Sequence, residues 1–462
     1  MVNIIPKRIG GVSFWYADIG LPAPRPPLDG DRSVDVCIVG AGYTGLWSAY
    51  YLKKAAPGLN ILIVEKNFAG FGASGRNGGW LTGGFAWKHE TYLKTSSPEA
   101  VRALVRAMNG TVNEVIRVAG AEGIEADILR TDELIVATNR AQAMRMRAEV
   151  RHRQGWGEEG RVWEIGAEEA RARVNIPGVI GGMVVSGVAR VQPAKLVQGL
   201  ARVVAGLGVV IAEATEVTGI APGNVTTTRG KVTANIILRC TEGFTATLKA
   251  SHREWLPVNS AQIATPPLPQ AVWDQIGWQG HEILGDFANA YCYCQRTREG
   301  RITVGARGTP YRYGSTIDTD GAPDAATIAR LTAILHRHFP AAAAYGVDHA
   351  WCGVIGVPRD WGATGGLDPA TGIGWAGGYV GVGVSTSNLA GRTLADLALG
   401  KQSELASLPW VNRRVRNWER EPLRWLGVHG MYALLRIADG REARLDIPPS
   451  RLARLGNWLT GR

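Results

Sequence analysis

The stretch VDVCIVGAGYTGLWSAYYLKKAAPGLNILIVEK, Val34 to Lys66, sets an apolar run, three glycines, a helix-like segment and a second apolar run in one unbroken order. The run VDVCIVG suits a buried parallel strand and feeds directly into Gly40, Gly42 and Gly45 at G-x-G-x-x-G spacing. Each glycine answers a separate steric demand. The first permits a tight turn, the second lets backbone approach a pyrophosphate, and the third lets a helix pack closely on the sheet. Tyr43 and Thr44 open the predicted helix, whose first amides and positive dipole end would face phosphate groups. The helix stops at Pro57 and Gly58, and NILIVEK then places Glu65 twenty residues after Gly45, where an acid can accept hydrogen bonds from ribose hydroxyls. In register, these parts predict a dinucleotide-binding βαβ unit. Glu65 would repel a 2′-phosphate, which disfavours NADP; the motif alone does not separate NAD from FAD.

The rest of the composition is that of a folded globular chain. Its 462 residues are 45% hydrophobic and 20% charged, enough for two or three cores. Glycine is the outlier: 60 of 462 is roughly twice the usual share of about 7%. These glycines cluster beside apolar runs, so backbone is expected to pass close to something. No apolar stretch reaches the length of about 18 residues that spans a bilayer, and MVNIIPKRIGG has no signal-peptide core, so a cytoplasmic protein is expected. The five cysteines are odd in number and scattered, with a C-x-C at Cys292 and Cys294 but no neighbouring histidine pattern, and read as free buried thiols without a metal. The net charge of +11 is spread along the chain and concentrates only in NRRVRNWEREPLRWLG after Val411, which reads first as a solvated basic face.

Two further glycine-rich segments, AGFGASGRNGGWLTGG (Ala69 to Gly84) and the distant Gly366 to Gly400, suggest a large ligand enclosed from several sides. With these segments the chain resembles the FAD-dependent oxidoreductases of the D-amino-acid oxidase superfamily, and within it the gamma-glutamylputrescine oxidase subgroup. The resemblance runs through GASGRNGG, VARVQPAKLVQGLA, TPPLPQAVWDQIGW, QRTREGRITVGARGTPYRYGS and GGYVGVGVSTSNLAG. It implies FAD as cofactor. Gly40, Gly42 and Gly45 would face the pyrophosphate, Glu65 the adenosine ribose, and Lys66 the edge of that site. Ser74, Gly75, Arg76, Asn77, Gly78 and Gly79 would run past the phosphates toward the flavin, and Val217 would contact adenine through backbone. Gly378, Gly381, Gly383, Val384 and Ser385 would lie against the isoalloxazine. Main-chain amides at the helix start near GVGVSTSN can stabilise negative charge building at flavin N1 and O2. Thr241 falls in the family's Ala-Thr-x-Gly turn, where Cys240 stands for the alanine. Sarcosine-oxidase relatives attach flavin through a carboxy-terminal cysteine; no cysteine follows Cys352, so the FAD is expected to be noncovalent.

The same resemblance implies an α/β fold: a Rossmann-type FAD-binding domain interleaved with an α+β substrate domain built on an antiparallel sheet. Segments 34–92, 176–252 and 346–402 are expected in the first, 93–175 and 253–345 in the second, with an arm at 1–33 and a basic tail at 403–462. Alternation in NAYCYCQRT and RITVGARG puts Tyr291 and Tyr293 on one strand face, and Thr303 and Arg307 on another. These are the substrate-side candidates. Cross-strand packing is the alternative role for the tyrosines, and a surface ion pair for Arg307. No histidine sits in a motif that would make it a general base. Flavin amine oxidation needs none: an amine bound in neutral form can give hydride to flavin N5, and the imine hydrolyses afterwards.

The leading function is therefore oxidation of a small-molecule amine or amino acid. The electron acceptor is oxygen, or, in the dehydrogenase alternative, a quinone or dye. In that alternative the tail, with Trp458, would make peripheral membrane contact, against the simpler role of a packing helix. Nucleic-acid modification is the remaining class; no RNA-binding module accompanies the charge, so no nucleic-acid partner is expected.

Overall fold

Strand Arg32–Val39 pairs in parallel with Ile61–Val64 on one side and Gly230–Arg239 on the other. A computed structural model describes residues 6–84, 88–306, 311–317 and 320–450 of the chain. Val210–Ala212 extends this sheet in parallel beyond Ile61–Val64, and Ile373–Gly377 extends it in parallel beyond Gly230–Arg239. Thr364–Asp368 closes that edge in antiparallel fashion. Ile61–Val64 is buried throughout, as a central parallel strand covered on both faces must be. Helix Tyr43–Ala55 covers one face and packs against helices Pro193–Gly206 and Gly383–Ala398. Leu46, Trp47 and Leu52 are fully buried there, and each contributes about 1.5–3 kcal/mol relative to exposure.

The second sheet has the spatial order Arg8–Ile9, His349–Pro358, Trp255–Ala264, Ile302–Ala306, Cys292–Arg296, Ile283–Asp286, Leu129–Ala137, Gly181–Arg190, Trp80–Leu81, with Val162–Gly166 also on Gly181–Arg190. It is antiparallel apart from the pairs Ile283–Asp286 with Leu129–Ala137 and Arg8–Ile9 with His349–Pro358. Helix Ala325–His338, capped by the Asp324 carboxylate on the Thr327 amide, lies across one face. There Ile328, Leu331 and Leu335 share a core with Ile263, Cys294 and Val304. The opposite face is the one that matters for the site.

The sequence-based boundaries shift in several places, Trp80–Leu81 of the second sheet among them. Gly181–Arg190 and His349–Pro358, expected within the nucleotide-binding segments, are strands of the second sheet. Helix Pro98–Ala121, expected with the substrate segments, packs on helix Gly383–Ala398 and adds Val101, Leu104, Val112 and Val115 to the core containing Trp47. A buried apolar strand reads alike in either sheet, and an amphipathic helix does not name the surface it covers. The arm is not a free extension either. Helix Phe14–Ile19 buries Trp15 and Tyr16, and the Trp15 indole N–H donates to the Asn77 carbonyl at 2.7 Å.

The basic tail packs on the body. The Trp418 indole N–H donates to the Val357 carbonyl at 2.7 Å, Arg413 pairs with Asp360, and the buried Arg424 pairs with Glu421. Helix Leu423–Leu445 presents Asp439 to the Asn289 and Ala290 amides, and Glu442 to Arg145. Trp458 lies outside the described residues. No helix among the described residues is long and apolar enough to cross a membrane.

Candidate active site

The turn after strand Arg32–Val39 is built by steric exclusion. Gly40 has φ +104°, and a Cβ there would stand 2.7 Å from the Cys240 carbonyl oxygen. A Cβ on Gly45 would stand 2.0 Å from the Gly40 carbonyl oxygen, so the helix can start so close to the strand only with glycine at that place. The space left open beside the turn is a cavity of about 360 Å³.

One end of the cavity is formed by Glu65, Lys66 and Val217. The Glu65 carboxylate accepts from the Ala41 and Asn67 amides, both at 2.9 Å, and burial pushes it above its ordinary range. Lys66 pairs with Glu216 at 2.6 Å on the rim. The middle is walled by Gly40, Gly42, Tyr43, Thr44, Ser74, Asn77 and Thr241. The Tyr43 amide, first of the helix, donates to the Ser74 hydroxyl at 2.8 Å, and the Thr44 hydroxyl bonds with Tyr379 at 2.9 Å. The far end carries Gly381, Gly383 and Val384 at the start of helix Gly383–Ala398.

Seven expected residues do not line this cavity. Gly45 lies beneath the turn. Gly378 packs against Pro358, and the Ser385 hydroxyl donates to the Thr82 carbonyl at 2.5 Å. Arg76 is buried and turned away: Nε donates to the Phe71 carbonyl at 2.8 Å and Nη1 to the Cys352 carbonyl at 3.2 Å. Gly75, Gly78 and Gly79 continue past the cavity to the second sheet. The Gly75 carbonyl accepts from the Ser13 hydroxyl at 2.8 Å. Gln262 donates to the Arg76 carbonyl at 2.7 Å, and Gln295 donates to the Gly78 and Gly79 carbonyls at 3.0 and 3.2 Å.

These contacts identify the face of the second sheet that meets the loop. Tyr293 and Gln262 are both opposite Gly305, and Gln295 is opposite Thr303, so all five share it. The Tyr293 hydroxyl bonds with Ser260 at 2.7 Å, and its ring lies against Gly78 and Gly305. Thr303 is buried beside Gln295, its hydroxyl 3.5 Å from that residue's carbonyl. Tyr291 is half-buried just before the strand. Arg307 lies outside the described residues. Gln262 Oε1 is buried and finds no donor among the described residues, an acceptor left for a bound group. Two histidines of these strands and their neighbours are bonded to main chain: His252 Nδ1 is 2.7 Å from the Ala246 carbonyl, and His349 Nε2 2.8 Å from that of Gly10.

The residue that sequence reading missed is Glu242. It adopts φ +41°, and its carboxylate accepts from the Gly356 and Tyr379 amides, joining three separate segments at the cavity wall. Burial pushes its carboxyl up to about 7, against the opposing pull of those amides and of Gly378. The aromatic wall from Phe71, Phe244 and Tyr379 was equally unannounced. An acid in the x position of the turn Cys240–Gly243 was the available signal for Glu242.

A glycine-lined cavity running from an acid at a strand end to a helix start fits an extended dinucleotide. Comparison with known proteins agrees. The family model described as FAD dependent oxidoreductase matches residues 35–397. The chain is 29% identical over 408 residues to the probable oxidoreductase OrdL of Rhizobium meliloti, covering 86% of this chain and 90% of that protein. It is 27% identical over 400 residues to the gamma-glutamylputrescine oxidoreductase of Escherichia coli, covering 84% and 89%. The structure of glycine oxidase from Geobacillus kaustophilus superimposes with a TM-score of 0.70 at 22% identity, over 83% of this chain and all of that one. The chain belongs to the FAD-dependent oxidoreductase family and is an enzyme that takes FAD as its cofactor.

Proposed function

We propose that the enzyme oxidises the C–N bond of a small amine or amino acid to an imine, which water then hydrolyses. The observation that carries this reading is the face formed by Tyr293, Gln262, Gln295 and Gly305, set against the Gly75–Gly79 loop with the Gln262 Oε1 acceptor unmet. A bound amine brings N–H donors for such an acceptor, and leaving that oxygen unpaired in a dry site costs about 1–3 kcal/mol. FAD, when bound, takes up the two electrons that leave the substrate. The chain's own residues position and desolvate: the two glutamines fix the loop, and the Tyr293 hydroxyl is oriented by Ser260. The names of the relatives, a gamma-glutamylputrescine oxidoreductase and a glycine oxidase, support the substrate class.

The test is anaerobic addition of a panel of amines and amino acids to the yellow protein, followed by flavin absorbance. Bleaching by an amine or amino acid, and not by alcohols or 2-hydroxy acids of similar size, is the expected result. Bleaching by hydroxy acids alone would overturn the reading.

A further inference from the structure

Away from the cavity, three different metal-ligating side chains meet among the described residues: Asp286 at the end of strand Ile283–Asp286, Cys292 at the start of Cys292–Arg296, and His338 in the last turn of helix Ala325–His338. All three are buried, and their donor atoms lie within 4.8 Å of one another. His338 Nε2 is 3.5 Å from Asp286 Oδ2 and 3.8 Å from Cys292 Sγ.

The surroundings of these atoms fix their roles. His338 Nδ1 is 3.1 Å from the Ile334 carbonyl; a proton on Nδ1 satisfies that oxygen and leaves the Nε2 lone pair free. Asp286 Oδ1 accepts from the Cys292 and Ala288 amides at 3.0 and 3.3 Å, which leaves Oδ2 turned to the histidine. A simple imidazolium–carboxylate pair would close to roughly 2.7–2.9 Å. The observed separations are longer and involve all three donors. Tetrahedral zinc, with bonds of about 2.0–2.3 Å to nitrogen, oxygen and sulfur, holds its ligands roughly 3.3–3.6 Å apart.

We propose that Asp286, Cys292 and His338 form a structural site for a borderline divalent transition metal of the zinc class. Thiolate with imidazole excludes magnesium and calcium as the preferred ion. These side chains supply three of the four positions of a tetrahedral ion. Binding releases the Cys292 thiol proton to solvent and involves no change of oxidation state. The ion would pin the hairpin between the two strands to the helix on the sheet's far side. The hairpin's other anchor is Asp439, which accepts from the Asn289 and Ala290 amides at 2.8 and 2.9 Å. Tyr293, the residue after Cys292, points to the loop face, so the metal would hold the strand that presents it.

The experiment is metal analysis of FAD-loaded enzyme grown in zinc-supplemented or cobalt-supplemented medium. The expected result is about one metal per chain, with tetrahedral cobalt bands to the red of the flavin absorption. Cys292→Ser and His338→Gln should each lower the metal content at least about tenfold with FAD content unchanged. Cys37→Ala, a buried thiol in the other sheet, should keep it. Should either site variant fail to fold, the wild-type measurements decide. Wild-type enzyme carrying under about a tenth of an equivalent from both media overturns the proposal. So do cobalt bands of an octahedral, thiolate-free site, or metal retained by both folded variants.

Discussion

Glu242→Gln separates the charge of the cavity wall from its shape. Glutamine keeps one acceptor oxygen and nearly the same volume, so it mimics the protonated acid. In the folded chain the carboxyl titrates near 7, against an ordinary 4.5. A folded pKa above the unfolded one means that stability is fully present below about 4.5 and is lost as pH rises through about 7. The separation of about 2.5 units corresponds to about 3 kcal/mol of wild-type stability lost across that window. The variant has no such group and does not lose it. Between pH 5 and pH 8 Glu242→Gln should therefore gain on wild type by about 2.5 kcal/mol, because only the wild type loses stability as its acid ionises. The assay is denaturant or thermal unfolding at half-unit steps from pH 5 to 8, with the variant-minus-wild-type difference plotted against pH. A flat difference would refute the buried-carboxyl reasoning, whatever the absolute stabilities.

Gly42→Val should abolish FAD retention, because its Cβ already stands 3.0 Å from the Ser74 hydroxyl and the added methyls would reach into the cavity; equal flavin-to-protein absorbance ratios would count against it. Gly45→Ala should destabilise the fold by more than about 2 kcal/mol, since a carbonyl 2.0 Å from the new methyl cannot yield without moving the turn, and an unchanged unfolding midpoint would contradict this. Acid precipitation should leave the yellow colour in the supernatant: Cys240, the cysteine on the cavity, has its thiol pushed up to about 12 by burial and is no nucleophile, so coloured protein in the pellet would disprove noncovalent FAD. Thr303→Lys should speed reoxidation of the substrate-reduced enzyme by oxygen, because Thr303 is on the loop-facing side of the sheet, where a fixed ammonium would stabilise superoxide as it forms, and Arg301 is engaged by Asp348 at 2.7 Å; stopped-flow traces identical to wild type would remove that electrostatic role.

The parts legible in the sequence are those whose cause is local. Gly40 needs a left-handed φ, Gly45 needs contact with a carbonyl five residues earlier, and both demands leave the same mark in any chain that makes this turn. Period-two alternation likewise put Tyr293 with Gln295, and Thr303 with Gly305, on common faces. Glu242 was illegible because its partners, Gly356 and Tyr379, lie 114 and 137 residues away. Nothing in CTEG says that two amides will converge on its acid. Arg76 shows the converse. Its place in GRNGG is local and readable, but the direction of its guanidinium is shared between the nearby Phe71 carbonyl and the Cys352 carbonyl 276 residues on.

The Gly75–Gly79 loop links the two sheets, and its geometry explains why the chain spends so many long side chains on main-chain oxygens. Within the loop Asn77 accepts from the Gly79 amide and Arg76 reaches the Phe71 carbonyl, but its three glycines offer no side chains, so the rest of its order is imposed from outside. Trp15 and Ser13 of the arm take the Asn77 and Gly75 carbonyls, while Gln262 and Gln295 of the second sheet take those of Arg76, Gly78 and Gly79. Each such bond contributes about 0.5–1.5 kcal/mol net, in addition to the hold that Asn77 and Arg76 exert from within the loop. The consequence is that the strands bearing Tyr293, Gln295 and Thr303 cannot shift without moving the loop, nor the loop without the cavity wall at Ser74 and Asn77. On the proposed function, a substrate on that sheet face and a cofactor in the cavity would thereby be kept in one rigid relation, and that relation rather than any acid–base pair is what hydride transfer would ask of the protein.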